Sequence, residues 1–337
     1  MKTNFFSDKI KISGRAIIDE NGIVLEDSAS GVSFYTDGEV YMSLASMSKE
    51  LTEGYPYIGV VKDNNFSDMI KLRIEDEISS YKIGENSDGR EHKYQIIKLT
   101  ENQYGVVRIY DFKISDGASL RPTDSYNKKI LFIGDSITAG YGVDGIDGVS
   151  EFSTSEENVL KSYAYLVSES LKAEAFVFAS SGNGIISRWT ENSDVPVTDG
   201  LMPEIFPFKE KEAGFENPDV TVINLGTNDS SYTGENEEKK RKFETEYKKF
   251  LAGLRIKYPY TEILVLYGFM ENTLLKSVEA AVNAYIKATG DNKVYYMELD
   301  GVKKGEILGA SGHPGAKMHE ERAEKIGKKI KEITGWK

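Results

Sequence analysis

A serine follows a short apolar run that has the length of a buried parallel strand. The run extends from Ile130 to Ile133 and ends at Gly134, two residues before Ser136. A buried strand that stops abruptly presents the next side chains at the carboxyl edge of its sheet, where α/β proteins bind their ligands. Ser136 is therefore placed to act as a nucleophile if a base lies nearby. The same residues also fit a plain strand-to-helix turn in which Ser136 is the N-cap.

Two later predicted strands end in short polar sequences of similar character. Residues 180–184 read Ser-Ser-Gly-Asn-Gly, and the absence of a Cβ at Gly182 lets a backbone N–H approach a ligand. Residues 226–229 read Gly-Thr-Asn-Asp, in which the Asn228 amide can point toward the space above Ser136. Each sequence alone also fits a simple turn. Because both follow strands of the same predicted sheet, we expect them to meet Ser136 at one edge.

Of the three histidines, His313 is the candidate base. It stands in Gly-His-Pro immediately before the predicted last helix, which places it at the same edge of the sheet. His92 lies in the β region in a setting that looks exposed, and His319 is expected to be structural or exposed. No His-Glu-x-x-His sequence is present, so a zinc hydrolase is not favoured.

The same segment partly resembles two other motifs. The sequence is not the Gly-x-Ser-x-Gly elbow of lipases, since Thr138 takes the place of the second glycine. Gly140, Gly142 and Gly145 spell Gly-x-Gly-x-x-Gly, but a dinucleotide site needs that motif directly at the strand end. Gly140 lies seven residues past Ile133, so a nucleotide site is not favoured.

The four sequences around Ser136, Gly182, Asn228 and His313 together resemble the SGNH, or GDSL, hydrolase superfamily. The resemblance covers residues 128–337. The all-β region in front of it, with the Met-Pro-Glu sequence that follows the second block, is similar to the two-domain carbohydrate esterase family 2. Members of that family remove acetyl groups from plant polysaccharides. The resemblance implies a serine esterase acting on an acetylated carbohydrate, such as xylan or glucomannan.

The resemblance also implies roles for individual residues. Ser136 would be the nucleophile and His313 the general base, while the N–H groups of Ser136 and Gly182 and the Asn228 amide would form the oxyanion hole. This chemistry needs no metal and no cofactor.

Three residues near these sequences are predicted to contact the substrate. They are Asp135, Tyr141 and Trp189. Trp189 lies in a polar segment a few residues after Gly182, where its flat face could stack on a sugar ring. The alternative is that Trp189 packs this loop onto the protein.

The sequence departs from the superfamily pattern at one position. An aspartate usually stands three residues before the histidine, and here that residue is Ala310. Some family 2 esterases resemble Ser–His dyads in which a backbone carbonyl orients the imidazole, and we interpret this chain in that way. Asp300, past the last predicted strand, is the alternative acid.

Two other functions stay open. One is a different acyl hydrolase of the superfamily, such as a lipase or thioesterase, which would need an apolar acyl channel. The loops 141–152 and 188–208 instead mix aromatic and polar residues. The other is a carbohydrate-binding protein of weak catalytic activity, which the missing aspartate would permit.

The elements that must position these residues fall into two regions. Residues 1–125 predict a β-sandwich, jelly-roll-like domain, with a hairpin at Asp37-Gly38 and buried residues alternating from Val40 to Leu44. Residues 126–337 predict a flavodoxin-like, doubly wound parallel sheet. Its strands are expected at 130–133, 175–179, 220–225, 262–267 and 293–298. Helical apolar spacing occurs in 160–171, 243–254 and 274–285, and a last helix is expected at 315–334.

The composition limits the possible binding partners of the protein. The formal net charge of −12 argues against nucleic acid and anionic membranes, and the absence of cysteine excludes disulfides and thiolate metal sites. The first 11 residues contain no signal-peptide h-region and no apolar run reaches transmembrane length. As written the chain predicts a cytoplasmic protein, or a secreted one if a signal has been removed. The oligomeric state is not predicted.

Overall fold

Two antiparallel sheets precede residue 125 and one parallel sheet follows it. The computed structural model describes residues 8–47, 54–85, 88–146, 148–208 and 217–337. The antiparallel strands are β1 (Lys11–Ser13), β2 (Ala16–Asp19), β3 (Gly22–Leu25), β4 (Gly31–Thr36), β5 (Val40–Ser46), β6 (Tyr57–Lys62), β7 (Ile70–Arg73), β8 (Ser79–Gly84), β9 (His92–Lys98), β10 (Val107–Ile114) and β11 (Leu120–Pro122). Short 3-10 helices lie at Phe66–Asp68 and Asn102–Tyr104.

The two antiparallel sheets face each other across one apolar core. One has the strand order β1-β4-β9-β6-β7 with β11 beside β4, and the other has the order β2-β3-β10-β5-β8. Phe34 and Ile96 of the first sheet and Leu44 and Val107 of the second are buried in the same cluster. This packing confirms the predicted sandwich and the buried alternation along β5. The jelly-roll-like arrangement stays a prediction.

The predicted hairpin at Asp37-Gly38 is wrong. The strands on either side of it, β4 and β5, belong to different sheets, and β4 pairs with β9 while β5 pairs with β10. Asp37 Oδ1 accepts hydrogen bonds from the Ser119 N–H at 2.7 Å and the Ser119 hydroxyl at 3.0 Å. The turn residues fix a sharp bend, but the bend carries the chain across the sandwich because the pairing partners lie far away in sequence.

The segment 121–125, which precedes the predicted domain boundary, is partly strand. Arg121 and Pro122 belong to β11, in which Arg121 pairs with Tyr35 and Pro122 with Phe34. Proline tolerates this position because the strand lies at the edge of the sheet. The domain boundary near residue 125 stays a prediction.

The parallel sheet follows the predicted strands closely. They are β12 (Lys128–Gly134), β13 (Ala173–Ala179), β14 (Val220–Asn224), β15 (Glu262–Tyr267) and β16 (Val294–Glu298). All pairs are parallel, in the order β13-β12-β14-β15-β16. This is the 2-1-3-4-5 order of flavodoxin-like sheets, whose ligand crevice lies where the order reverses, beside the first strand.

Helices cover both faces of the parallel sheet. They are α1 (Ser136–Ala139), α2 (Tyr163–Leu171), α3 (Met202–Ile205), α4 (Thr227–Thr233), α5 (Glu237–Lys257), α6 (Leu275–Thr289) and α7 (Ala316–Thr334). In β12, Leu131 and Ile133 pack with residues of α5 and α6, whereas Ile130 and Phe132 pack with residues of α2 and α7. Successive side chains of a strand point to opposite faces, so this double burial explains the unbroken apolar run. Within the described ranges, no helix combines the length and apolar content needed to span a membrane.

The sandwich packs directly against the parallel part. Ile97 and Leu99, at the end of β9, lie in the same buried cluster as Tyr165 of α2. Lys71 of β7 donates to Asp144 Oδ2 at 3.0 Å and to two backbone carbonyls of the segment 155–157. The end of β9 therefore packs against α2, and Lys71 of β7 binds the segment 144–157.

Candidate active site

Ser136 is the first residue of α1, immediately beyond the strand β12. A Cβ on Gly134 would lie 2.0 Å from Thr138 Oγ1, so the tight turn from strand to helix requires glycine there. Asp135 is the N-cap, and its Oδ1 accepts the Ile137 N–H at 3.0 Å. Ser136 is therefore not the N-cap, as the alternative interpretation had it, but the first residue of the helix at the carboxyl edge of the sheet.

His313 is brought to Ser136 across 177 positions of sequence. Its Nε2 lies 2.9 Å from Ser136 Oγ, and its Nδ1 lies 3.3 Å from the carbonyl oxygen of Ser311. When Nδ1–H donates to that carbonyl, Nε2 is the free lone pair that can accept the Ser136 proton. The geometry therefore has the elements of a nucleophile, a base and a group that orients the base.

The carbonyl that contacts His313 belongs to a strained turn. Ser311 has a φ of 49°, in the left-handed region that non-glycine residues rarely adopt. Its N–H donates to the Ser150 carbonyl at 2.8 Å, and its Oγ accepts the Phe152 N–H at 3.2 Å. These two bonds fix the turn, so the direction of the Ser311 carbonyl depends on the loop at 150–152.

Asp300 is engaged elsewhere. Its carboxylate is exposed and accepts from Lys303 Nζ at 2.8 Å and from Lys325 Nζ. These lysines hold the pKa of Asp300 below its usual range. The alternative acid is therefore paired with two cations, while the His313 Nδ1 contact is with the Ser311 carbonyl.

Aromatic rings support the His313 imidazole. Tyr141 lies with its ring centroid 4.4 Å from that of His313, and its other face stacks on Phe152 at 3.5 Å. Phe152 in turn contacts Tyr104 at 5.5 Å. Tyr141, a predicted substrate contact, thus packs on the imidazole. Burial of His313 lowers its pKa to about 4, because desolvation disfavours the charged ring.

The three N–H donors predicted for the oxyanion hole follow the neighbouring strands β12, β13 and β14. The described residues provide no acceptor for the backbone N–H of Ser136 or of Gly182. Gly182 has a φ of 74°, which explains a glycine at this position. Asn228, in the first turn of α4, donates from Nδ2 to the Asn183 carbonyl at 2.8 Å and to Asp135 Oδ2 at 3.3 Å. These are the groups predicted for the oxyanion hole.

The predicted substrate contact at Asp135 does not fit its burial. Asp135 has no exposed surface, and burial raises its pKa to about 7. Its two oxygens accept from the Ile137 N–H and the Asn228 amide. Asp135 therefore lies beneath the site, where it orients α1 and Asn228.

Asp229 is a site residue that the sequence reasoning missed. Its buried carboxylate accepts the N–H groups of Ile185 at 2.9 Å, Ile186 at 2.7 Å and Ser187 at 3.1 Å. Burial raises its pKa to about 6. Asp229 thereby fixes the loop that follows Gly182. In the sequence, its position directly after Asn228 is the feature that could have identified it.

Trp189 lies in solvent beside the same loop. The backbone N–H of Trp189 donates to the Gly182 carbonyl at 2.9 Å, and 57% of the residue is exposed. The ring is therefore not packed into the protein. The neighbouring Arg188 places its Nη2 3.7 Å from where a Cβ on Gly182 would be, which brings a cation next to the site.

The other two histidines lie outside this cluster. His319 is fully buried, and its Nδ1 accepts the Tyr163 N–H at 3.1 Å, so its role is in packing. His92 is partly exposed and lies between Asp63, at 2.7 Å, and Asp88, at 3.0 Å, in the sandwich.

The chain is similar in sequence to known esterases. Residues 132–320 match the model of the GDSL-like lipase/acylhydrolase family. The chain is 32% identical over 251 residues to the cellulase/esterase CelE of Acetivibrio thermocellus, a match that covers 73% of this chain and 30% of that relative. It is 25% identical to an acetylxylan esterase/glucomannan deacetylase of Cellvibrio japonicus, over 97% of this chain and 89% of the relative.

The fold is also similar to that of solved enzymes. A family two carbohydrate esterase from Clostridium thermocellum, in complex with cellohexaose, superposes with a TM-score of 0.84. The match covers 97% of this chain and 100% of that structure, at 28% identity. The similarity therefore extends over both the antiparallel and the parallel parts.

The pKa of His313 can be measured directly. We expect the imidazole signals of His313 to keep the chemical shifts of the neutral ring at pH 5.5. They should titrate with a midpoint of about 4, because the ring is desolvated. NMR of the histidine-labelled protein gives this midpoint, and His313→Ala assigns the signal. A midpoint close to about 6.5, the usual value, would contradict the buried base.

Proposed function

The chain belongs to the GDSL-like lipase/acylhydrolase family, and we propose that it is a serine esterase that removes O-acetyl groups from carbohydrates. The substrates would be polysaccharides or oligosaccharides of the xylan or glucomannan type, as the name of the Cellvibrio relative suggests. The observation that carries the proposal is the 2.9 Å contact between Ser136 Oγ and His313 Nε2. A hydroxyl within hydrogen-bond reach of a neutral imidazole is the arrangement that nucleophilic acyl transfer needs.

The proposed reaction has two half-reactions. Ser136 Oγ attacks the acetyl carbonyl while His313 Nε2 takes its proton. The tetrahedral intermediate collapses with cleavage of the bond between the acetyl carbon and the sugar oxygen, and His313 gives its proton to that oxygen, so the sugar leaves with a free hydroxyl. Water then attacks the acetyl-enzyme with His313 again as base, which releases acetate and restores Ser136.

The oxyanion would be met by the N–H groups of Ser136 and Gly182 and by the Asn228 amide. Preorganised donors of this kind are typically worth ~3–4 kcal/mol each in the transition state. The longer bond of Asn228, 3.3 Å to Asp135, is the one that would weaken as the amide turns toward the oxyanion. Asp135 would keep the amide oriented between turnovers.

We propose that the catalytic unit is a dyad. The Ser311 carbonyl would supply the acceptor that the superfamily usually takes from an aspartate, so the absence of an acid at Ala310 need not abolish catalysis. A carbonyl can fix the tautomer and orientation of the ring. The imidazolium formed during the reaction would gain less stabilisation than from a carboxylate.

On the substrate side, Trp189 and Tyr141 are the proposed sugar contacts. The exposed Trp189 ring next to Gly182 offers an apolar face to a pyranose. Tyr141 would act from the opposite side, through its position against His313. No role in substrate binding is proposed for Asp135.

Acyl-chain selectivity tests the activity. We expect the wild-type protein to hydrolyse a chromogenic acetate and to release acetate from acetylated xylan or glucomannan, with much weaker action on an octanoyl ester. Ser136→Ala should lose this activity at an unchanged melting temperature. Preference for the octanoyl ester would indicate a lipase-like acyl hydrolase, and binding of the glycan without turnover would indicate a carbohydrate-binding protein.

Two substitutions test the dyad. Asp300→Asn should lower kcat by less than about tenfold, because Asp300 is paired with lysines, whereas His313→Ala should lose about 10³-fold or more. Loss of the acid from a catalytic triad costs about 10⁴-fold, so a fall of that size for Asp300→Asn would show a triad. Circular dichroism of both variants controls for folding.

Trp189→Ala separates stacking from packing. Stacking predicts lost kcat/KM on acetylated oligosaccharides with near-normal turnover of a small chromogenic acetate, because only the binding of the sugar is removed. Val195→Ala is the matched control, since Val195 is 59% exposed in the same loop. Equal losses on both substrates, with a lower melting temperature, would assign Trp189 to packing instead.

A further inference from the structure

The end of strand β9 carries a carboxylate from the sandwich into the parallel part. Glu101 lies three residues beyond β9 and is 1% exposed. It is far from Ser136 in sequence and belongs to none of the family sequences around Ser136, Gly182, Asn228 and His313. A buried carboxylate is costly unless it is bonded, so its partners define its role.

Besides Gln103, the Glu101 side chain bonds Ser181, in the loop of the proposed oxyanion hole. One carboxylate oxygen accepts the backbone N–H of Ser181 at 2.6 Å, and the other accepts the Ser181 hydroxyl. Ser181 directly precedes Gly182, whose N–H is a proposed oxyanion donor. Two bonds to one residue fix both its position and its rotation, and hence the peptide that carries the Gly182 N–H.

Glu101 is itself firmly held. Its N–H donates to Glu157 Oε1 at 2.7 Å, and the carbonyl of the nearby Leu99 accepts the Val159 N–H at 3.2 Å. Lys98 is fully buried and donates to the Thr100 carbonyl at 2.6 Å. Its positive charge offsets the carboxylates of Glu101 and Glu157. The carboxylate is thus carried on a rigid support.

We propose that Glu101 is a positioning residue through which the antiparallel sandwich sets the Gly182 N–H of the oxyanion hole. It acts on the reaction through Ser181 and does not touch the substrate. On this basis the sandwich contributes to the geometry of the active site. The inference rests on the proposed esterase function, because the Gly182 donor matters only if an oxyanion forms.

Substitutions that change either the length or the charge of the Glu101 side chain distinguish a positioning role from the burial of a charge alone. Glu101→Gln keeps the reach and an oxygen acceptor for the Ser181 N–H, whereas Glu101→Asp keeps the charge but withdraws the carboxylate by one methylene. A misplacement of about 1 Å near reacting groups can cost about 100-fold in rate. We therefore expect kcat on a chromogenic acetate to fall about 10–100-fold for Glu101→Asp and less than about threefold for Glu101→Gln, with KM within about twofold for both.

Two further variants serve as controls. Asp27→Asn alters another buried carboxylate of the sandwich that also faces Lys98, and it should leave kcat unchanged. Ser181→Ala removes only the hydroxyl bond, so it should lower kcat modestly, and adding it to Glu101→Asp should cost little more. Unchanged kcat in Glu101→Asp, or an equal fall of kcat in Asp27→Asn, would overturn the proposal.

A second measurement does not depend on activity. In a ¹⁵N-labelled sample, Glu101→Asp should shift the amide signals of Ser181 and Gly182, while Asp27→Asn should leave both in place. If the wild-type protein hydrolyses no ester, the proposed function fails, yet these amide shifts still report whether Glu101 positions the loop. Unshifted amides in Glu101→Asp would overturn the positioning role whatever the activity.

Discussion

The contact between His313 Nδ1 and the Ser311 carbonyl is the constraint on which the rest of the site depends. A carbonyl carries no net charge, so it directs the imidazole without holding it by ionic attraction. The ring must therefore be fixed by packing, which Tyr141 and Phe152 provide. The carbonyl must in turn be fixed by the strained Ser311 turn and its bonds to the loop at 150–152.

Buried carboxylates hold the opposite side of the site. Asp135 orients Asn228, Asp229 binds the N–H groups of residues 185–187, and Glu101 binds Ser181. Burial raises the pKa of all three, to about 7, about 6 and about 7 respectively. Each compensates its desolvation with hydrogen bonds from backbone or amide N–H groups, to which Glu101 adds the Ser181 hydroxyl and the charge of the nearby Lys98. The donors proposed for the oxyanion hole are in this way held by buried acceptors.

The sandwich and the parallel sheet pack together and both contribute residues that hold these groups. The apolar end of β9 is buried with α2, and the polar residues that follow it reach the loops of the site. Tyr104, also from the antiparallel part, closes the stack that supports Tyr141 and His313. Rigid support of this kind is what a site made of loops needs for accurate geometry.

The sequence by itself determined the parallel sheet and the residues at its edge. The apolar runs, helical spacing and glycine-containing strand ends are short-range patterns, so they located β12 to β16 and placed Ser136 and His313 at the same edge of the sheet. Only the tertiary structure decided which sheet β5 joins, that Asp135 is buried, that Asp300 pairs with lysines, and that Glu101 meets Ser181. These depend on partners far apart in sequence, 80 positions for Glu101 and Ser181. No local pattern encodes such pairings, because they arise only when separate elements pack.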